Sequence, residues 1–159
     1  ANLKSMIHSF GRIMGLLVIL LACSTKTLAC PLELPTATIA IKGYTLTVEL
    51  ASTPAARACG LSHRNELPIN HGMLFIYPDL RPRSFWMKDT TIPLSIAFLD
   101  DSGQIFSIQD MAPIQTDKTY PSSRPAGYAL EVNQGWFGRN GIDVGDVVEM
   151  KLPVVLDIR

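Results

Sequence analysis

The feature that most constrains the fold is the succession of strand and turn signals from Thr38 to Leu152. Short alternating or apolar runs follow one another, separated by glycine, proline, asparagine or aspartate. Tyr44–Leu50 is the clearest run, since its apolar and polar side chains alternate as in a half-buried strand. The best helical signal, Thr53–Gly60, is only about two turns long. About eight short strands and two short helices predict a mainly β (α+β) fold, a compact, mostly antiparallel barrel or sandwich.

The N-terminal segment has the three-part pattern of a secretory signal. Lys4, His8 and Arg12 precede an apolar run of ten residues, Ile13–Ala22, and small or polar residues follow it. Because a helix needs about twenty apolar residues to span a bilayer, we expect this segment to be processed. An uncleaved anchor stays open as an alternative.

Two cleavage motifs compete within this segment. Thr27–Ala29 has small residues at the first and third positions before a cut, which makes residues 1–29 an ordinary signal peptide. Residues 20–23 instead fit a lipoprotein signal of residues 1–22, with Cys23 as the lipidation candidate. Both motifs predict an exported protein of the periplasm or cell envelope. Membrane contact is expected only through an N-terminal lipid or an uncleaved signal.

Beyond the signal, we predict an N-terminal arm, residues 30–37, and a single β-rich domain, residues 38–159. Cys30 in the arm and Cys59 at the end of the predicted helix would both persist after cleavage behind residue 29. In an oxidising compartment these two cysteines are candidates for a disulfide. The alternative is that Cys59 is a small buried apolar residue.

Charge and histidine spacing argue against two classes of partner. Removal of the signal peptide takes away Lys4, Arg12 and Lys26, leaving eleven Lys and Arg against fourteen Asp and Glu, a formal charge of −3. The remaining basic residues are scattered, whereas a phosphate backbone requires a concentrated positive surface, so we expect no nucleic-acid partner. His63 and His71 match no metal-binding spacing, and we expect no metal and no cofactor.

The richest stretch chemically is Ser84–Asp100, which combines aromatic, charged and hydroxyl side chains in two predicted strands. On the first strand Trp86 and Lys88 would share one face, with Thr90 in line and Asp89 beside this row. Such a row is suited to a cleft for a planar or anionic ligand. The alternative is that the lysine stem simply packs over the indole.

Glu131 is the second candidate position, because it is the one carboxylate in the apolar predicted strand Gly127–Asn133. A carboxyl group in such surroundings is a candidate acid or base with a perturbed pKa. An ion pair with Lys88 or Arg83, or a solvated carboxylate, is the structural alternative.

These observations give one leading hypothesis and two alternatives. The leading hypothesis is an exported cell-envelope domain that binds a small ligand or a protein partner through the Trp86–Thr90 face and the long loop Pro113–Pro125. The first alternative is a hydrolase-type enzyme that uses Glu131 with Lys88 or Asp89. The second alternative is a structural or assembly factor of the envelope.

Five short segments, none decisive alone, form a specific combination by their order. They are Arg57–Leu61, Gly72–Phe75, Phe85–Thr90 with Ile92–Leu94, Tyr128–Glu131 and Gly141–Asp146. Together they resemble the domain-of-unknown-function family 192 of bacteria and archaea. The resemblance implies a small, mainly β domain, often made with a signal peptide or lipoprotein signal, and it implies no activity. Members usually carry aspartate where this chain has Ser95, so no acid–base or metal role is transferred to that position.

Overall fold

The computed structural model of the chain describes residues 29–159, which hold nine strands and two short helices. This confirms the predicted mainly β class. The strands are β1 Thr36–Ile41, β2 Tyr44–Ala51, β3 His71–Arg81, β4 Ser84–Phe85, β5 Leu94–Leu99, β6 Ile105–Met111, β7 Tyr120–Pro121, β8 Ala126–Asn133 and β9 Val148–Met150. The helices are α1 Pro54–Cys59 and α2 Trp136–Arg139.

The N-terminal predictions fall almost wholly outside this region. The candidate signal segment up to residue 28, with the lipidation candidate Cys23, lies outside the described residues. Within residues 29–159, no helix is both long enough and apolar enough to cross a membrane.

Seven strands form one curled sheet in the order β6-β5-β8-β3-β2-β1-β9. All neighbouring strands are antiparallel except β2 and β3, which are parallel because the connection between them crosses over through α1. The two edges of the sheet meet where Gln104 pairs with Val147 and the Ile105 N–H donates to the Asp146 carbonyl at 2.9 Å. The sheet is curled as a half-barrel, and this contact joins its edges at one end. Strands β4 and β7 form a separate two-stranded ribbon beside it.

Helix α1 forms where the sequence predicts a helix, and its ends are capped as expected. The Thr53 hydroxyl accepts the Ala56 N–H at 3.2 Å, and Pro54 occupies the first turn, where its missing N–H is harmless. Gly60 ends the helix with a φ of +51°, a conformation that glycine adopts without strain. The short helix is thereby fixed against one face of the sheet.

The sheet carries a separate apolar cluster on each face. The inner cluster includes Ile39, Val48, Leu74 and Leu130, and α2 closes it with Trp136. The candidate site adjoins the outer cluster.

The outer cluster combines residues of the sheet with residues that cover it. Met73, Phe75 and Phe98 project from the sheet, while Ala56 of α1 and Met87 pack over them. The cover is irregular in structure, and a cleft remains within it.

Candidate functional site

A cleft of about 220 Å³ lies on the outer face of the sheet. All five candidate residues from the sequence line this cleft: Trp86, Lys88, Asp89, Thr90 and Glu131. Four of them belong to one short segment, whereas Glu131 reaches the cleft from β8. The fold therefore places Glu131 and the Trp86–Thr90 segment in one cleft.

Glu131 is enclosed by apolar side chains. Its cross-strand neighbours are Met73 on β3 and Ile96 on β5, and Ala129 precedes it on the same face of β8. Only 4% of the residue is exposed. Desolvation by this burial raises the pKa of the Glu131 carboxyl to about 8.

The Glu131 carboxyl has no hydrogen-bond or ion-pair partner among residues 29–159. The predicted ion pair with Lys88 or Arg83 is therefore absent among these residues. Arg83, one of the two proposed partners, instead binds Asp79, with Nη2 2.6 Å from Oδ1. At neutral pH the carboxyl is protonated, so it offers one O–H donor and one carbonyl acceptor to the cleft.

One wall of the cleft combines a disulfide and two aromatic rings. Cys30 and Cys59 are joined across 29 positions of sequence, with their Cα atoms 5.5 Å apart. The bond fastens the N-terminal arm to the end of α1. Next to it, the rings of Phe75 and Phe85 meet edge to face, with centroids 4.8 Å apart. This wall is apolar, and the disulfide ties it to the N-terminal arm.

The mouth of the cleft carries its charged groups. Trp86 is 55% exposed, and the Lys88 ammonium lies 5.4 Å from the centroid of its ring. Asp89 Oδ2 lies 3.8 Å from His63 Nε2, and the His63 N–H donates to the Asp89 carbonyl at 2.8 Å. Histidine spacing alone predicted no metal site at His63, and its place beside Asp89 at the cleft emerges only from the fold.

The predicted strand Ser84–Asp89 is wrong beyond its second residue. Strand β4 ends at Phe85, and Asp89 has a φ of +54°, which no strand residue adopts. The chain turns here, with the Thr90 N–H donating to the Met87 carbonyl at 3.2 Å. As a result Thr90 is only 6% exposed, whereas Trp86 and Lys88 are exposed, so the three residues do not form the row that a strand would give.

The long loop Pro113–Pro125 supports this segment from outside. The Ile114 N–H donates to the Thr90 carbonyl at 2.9 Å, and the Met87 N–H donates to the Gln115 carbonyl at 3.3 Å. Residues of this loop do not line the cleft within the described part of the chain. The loop therefore positions the segment that carries the candidate residues.

Ser95 lies on the opposite, inner face of the sheet from Glu131. It is 1% exposed, its hydroxyl donates to Asp110 at 2.5 Å, and it accepts the Gly135 N–H at 2.9 Å. Its role here is to join β5 to β6 and to the start of α2. Residues 29–159 contain no group of three or more His, Cys, Asp or Glu that could hold a metal ion.

Comparisons with known proteins identify relatives without an assigned activity. The sequence profile of the family DUF192, described as an uncharacterised ACR, matches residues 37–150. No curated protein matches the chain. A solved structure from Sinorhizobium meliloti 1021, described as a candidate transcription regulator, is 34% identical, with a TM-score of 0.70, covering 75% of this chain and 96% of its own. A protein of unknown function from Novosphingobium aromaticivorans DSM 12444 is 32% identical, with a TM-score of 0.70 and coverages of 78% and 91%.

Proposed function

This chain belongs to the DUF192 family, whose description assigns no activity, and from that premise we propose that it is an exported domain of the cell envelope that binds a small ligand in the cleft between Glu131 and Trp86. The observation that carries the proposal is the buried carboxyl of Glu131, 4% exposed and without a partner in the described residues. An unpartnered buried polar group destabilises a protein by about 1–3 kcal/mol. A ligand that hydrogen-bonds Glu131 would remove this penalty.

The walls of the cleft support a small-molecule ligand. Its volume of about 220 Å³ is slightly below the roughly 300–1,000 Å³ of pockets for drug-sized ligands. Phe75, Phe85 and the disulfide supply apolar contact, and a few polar groups at the mouth are suited to orient a ligand. Apolar contact combined with polar groups that orient the ligand is typical of ligand sites.

A screen of small molecules by ligand-observed NMR tests the proposal. Hits should lose affinity by tenfold or more in Trp86→Ala and in Glu131→Ala, since each substitution removes one side of the cleft. Val144→Ala is the matched control, because Val144 is equally exposed, at 60%, and lies away from the cleft. Hits that bind the two cleft variants and the control alike would refute this site.

Export is supported by two independent features. The N-terminal segment has the pattern of a signal, and the Cys30–Cys59 disulfide requires an oxidising compartment to persist. Intact mass of the protein purified from cell envelopes tests this part. A chain that begins at Cys30 indicates ordinary secretion, and a diacylated Cys23 indicates a lipoprotein. A full-length chain recovered from the cytoplasm would contradict export.

A hydrolase is the second candidate function, and the pKa of Glu131 favours it. A carboxyl with a pKa of about 8 is protonated at neutral pH and is therefore suited to donate a proton to a leaving group. Asp89 and His63 stand at the mouth of the same cleft and would supply a base. Turnover of chromogenic esters, phosphates or glycosides should then vanish in Glu131→Gln. Equal turnover in the variant and the wild type would exclude this mechanism.

A further inference from the structure

Glu131, which forms the floor of the cleft, and the charged side chains that line the cleft together restrict the chemistry of the ligand. We infer that the ligand is an uncharged, planar molecule of about one ring that presents an amide edge, an N–H beside a C=O, to Glu131. Lactam, cyclic imide and pyrimidinone rings have this edge. The inference rests on the proposed function and adds the chemical class of the ligand.

The first step is the hydrogen-bonding capacity of the floor. Met73, Ile96 and Ala129 surround Glu131, so the carboxyl stays neutral and carries a donor and an acceptor side by side. The complementary partner has an acceptor beside a donor, which is the arrangement of an amide edge. An anion has only acceptors, and an ammonium has only donors. Neither of these would satisfy both positions.

The second step is that the charged side chains of the cleft contact other groups of the protein. Asp89 faces His63 at 3.8 Å, and the Lys88 ammonium lies over the Trp86 ring. The Arg57 guanidinium donates to three backbone carbonyls, those of Ser52, Ile76 and Arg159. A charged ligand would compete with these contacts, whereas an uncharged ligand leaves them in place.

The titratable side chains on the neighbouring strands do not change the expected protonation of Glu131. Tyr77, further along β3 from Met73, has its pKa raised to about 12 by burial and therefore stays neutral. Glu49 lies beyond Met73 on β2, and both of its carboxylate oxygens accept hydrogen bonds from Arg64. Desolvation by burial thus remains the cause of the raised pKa of Glu131.

The third step is the shape of the space. Phe75, Phe85 and Trp86 present aromatic surfaces, against which a flat ring packs in offset or edge-on geometry. The cleft volume of about 220 Å³ leaves room for about one such ring, by comparison with the roughly 300–1,000 Å³ of drug-sized pockets.

The test uses four one-ring probes with the oxidised, full-chain protein, and NMR titration measures their affinities. The probe with the amide edge is 2-pyridone, and N-methyl-2-pyridone is its match without the N–H. Benzylamine and benzoate are the cationic and anionic probes. We expect 2-pyridone to bind at millimolar concentration and N-methyl-2-pyridone to bind at least about tenfold more weakly, since one hydrogen bond is lost inside the cleft.

The pH dependence gives a second readout with a defined sign. Ionisation of Glu131 removes its donor, so the affinity for 2-pyridone should fall above pH 8, by about tenfold for each pH unit. Glu131→Gln keeps a donor and an acceptor at all pH values and should retain binding without this pH dependence. Glu131→Ala should abolish binding.

The other outcomes overturn the ligand class in distinguishable ways. Preferential binding of benzylamine, strengthening as pH rises through 8, would show that the ionised Glu131 selects a cation. Preferential binding of benzoate would assign recognition to Lys88. Binding of none of the four probes would also refute the amide-edge class, and the screen with Trp86→Ala would still decide the proposed function by itself.

Discussion

The buried carboxyl of Glu131 should make the stability of the protein fall between mildly acidic and mildly basic pH. Burial raises its pKa from 4.5 in the unfolded reference to about 8 in the folded protein. Between these values the folded state holds one proton that the unfolded state has released, so the free energy of unfolding decreases as pH rises. At about 1.4 kcal/mol per pKa unit, the loss amounts to roughly 5 kcal/mol between pH 4.5 and pH 8. That is a large share of the about 5–15 kcal/mol by which domains are stable.

Glu131→Gln isolates this contribution, because glutamine has nearly the same shape and does not titrate. Urea denaturation of both proteins, with the disulfide intact, gives the free energy of unfolding at a series of pH values. The difference between variant and wild type cancels every other titrating group and should grow by roughly 5 kcal/mol from pH 4.5 to pH 8, then level off. A difference that stays constant with pH would refute the reasoning, since it would mean that Glu131 titrates normally or is paired in solution.

Three further predictions concern other parts of the fold. Trp86→Ala should change the free energy of unfolding by only about 0.5 kcal/mol, since the residue is 55% exposed; a loss of several kcal/mol by urea denaturation would instead make Trp86 a core residue. Replacing Cys30 and Cys59 together by serine should lower stability by about 3–4 kcal/mol, the loop-closure value for a separation of 29 residues, and an unchanged denaturation midpoint would contradict a formed disulfide. Thr53→Ala removes the hydroxyl cap of α1 and should cost about 1 kcal/mol in the same assay; no change would show that the cap is dispensable.

Local patterns predicted those parts of the fold that depend on nearby residues. The alternation of Tyr44–Leu50 became β2, and the capping signals of Thr53 and Gly60 became the ends of α1. The turn at Asp100 is equally local, because its carboxylate accepts the backbone N–H groups of Ser102 and Gln104. In each case the atoms that determine the conformation lie within a few positions of one another.

The features that could not be predicted from local sequence patterns depend on residues far apart in the chain. Alternation suggested a strand through Asp89. In the structure, the backbone N–H groups of His63 and Ile114 donate to the carbonyls of Asp89 and Thr90, and these hydrogen bonds hold the segment in a turn. The environment of Glu131 is likewise set by Met73 and Ile96, far away in sequence. No local pattern distinguishes a carboxyl with apolar cross-strand neighbours from one beside a cation, so the sequence left both alternatives open.

The elements around the cleft are held by contacts that do not involve Glu131. Arg57 fastens α1 to the carbonyls of Ser52, Ile76 and Arg159, while the disulfide joins α1 to the arm. Since these contacts fix the walls, the fold has no need of a carboxyl at the floor. An apolar residue at this position would need no hydrogen-bond partner and would not titrate, so the protein would avoid both the cost of an unpartnered polar group and the pH-dependent loss of stability.

A binding site that is formed before its ligand arrives is expected to keep a polar group that destabilises the protein, as Glu131 does at the floor of this cleft. Such a site binds with little reorganisation, because its walls are already ordered before the ligand arrives. The same reasoning links stability to binding: a ligand that hydrogen-bonds the protonated Glu131 must raise the pKa of that carboxyl further and shift the fall in stability to higher pH. A ligand that stabilises the protein equally at all pH values would therefore bind away from Glu131.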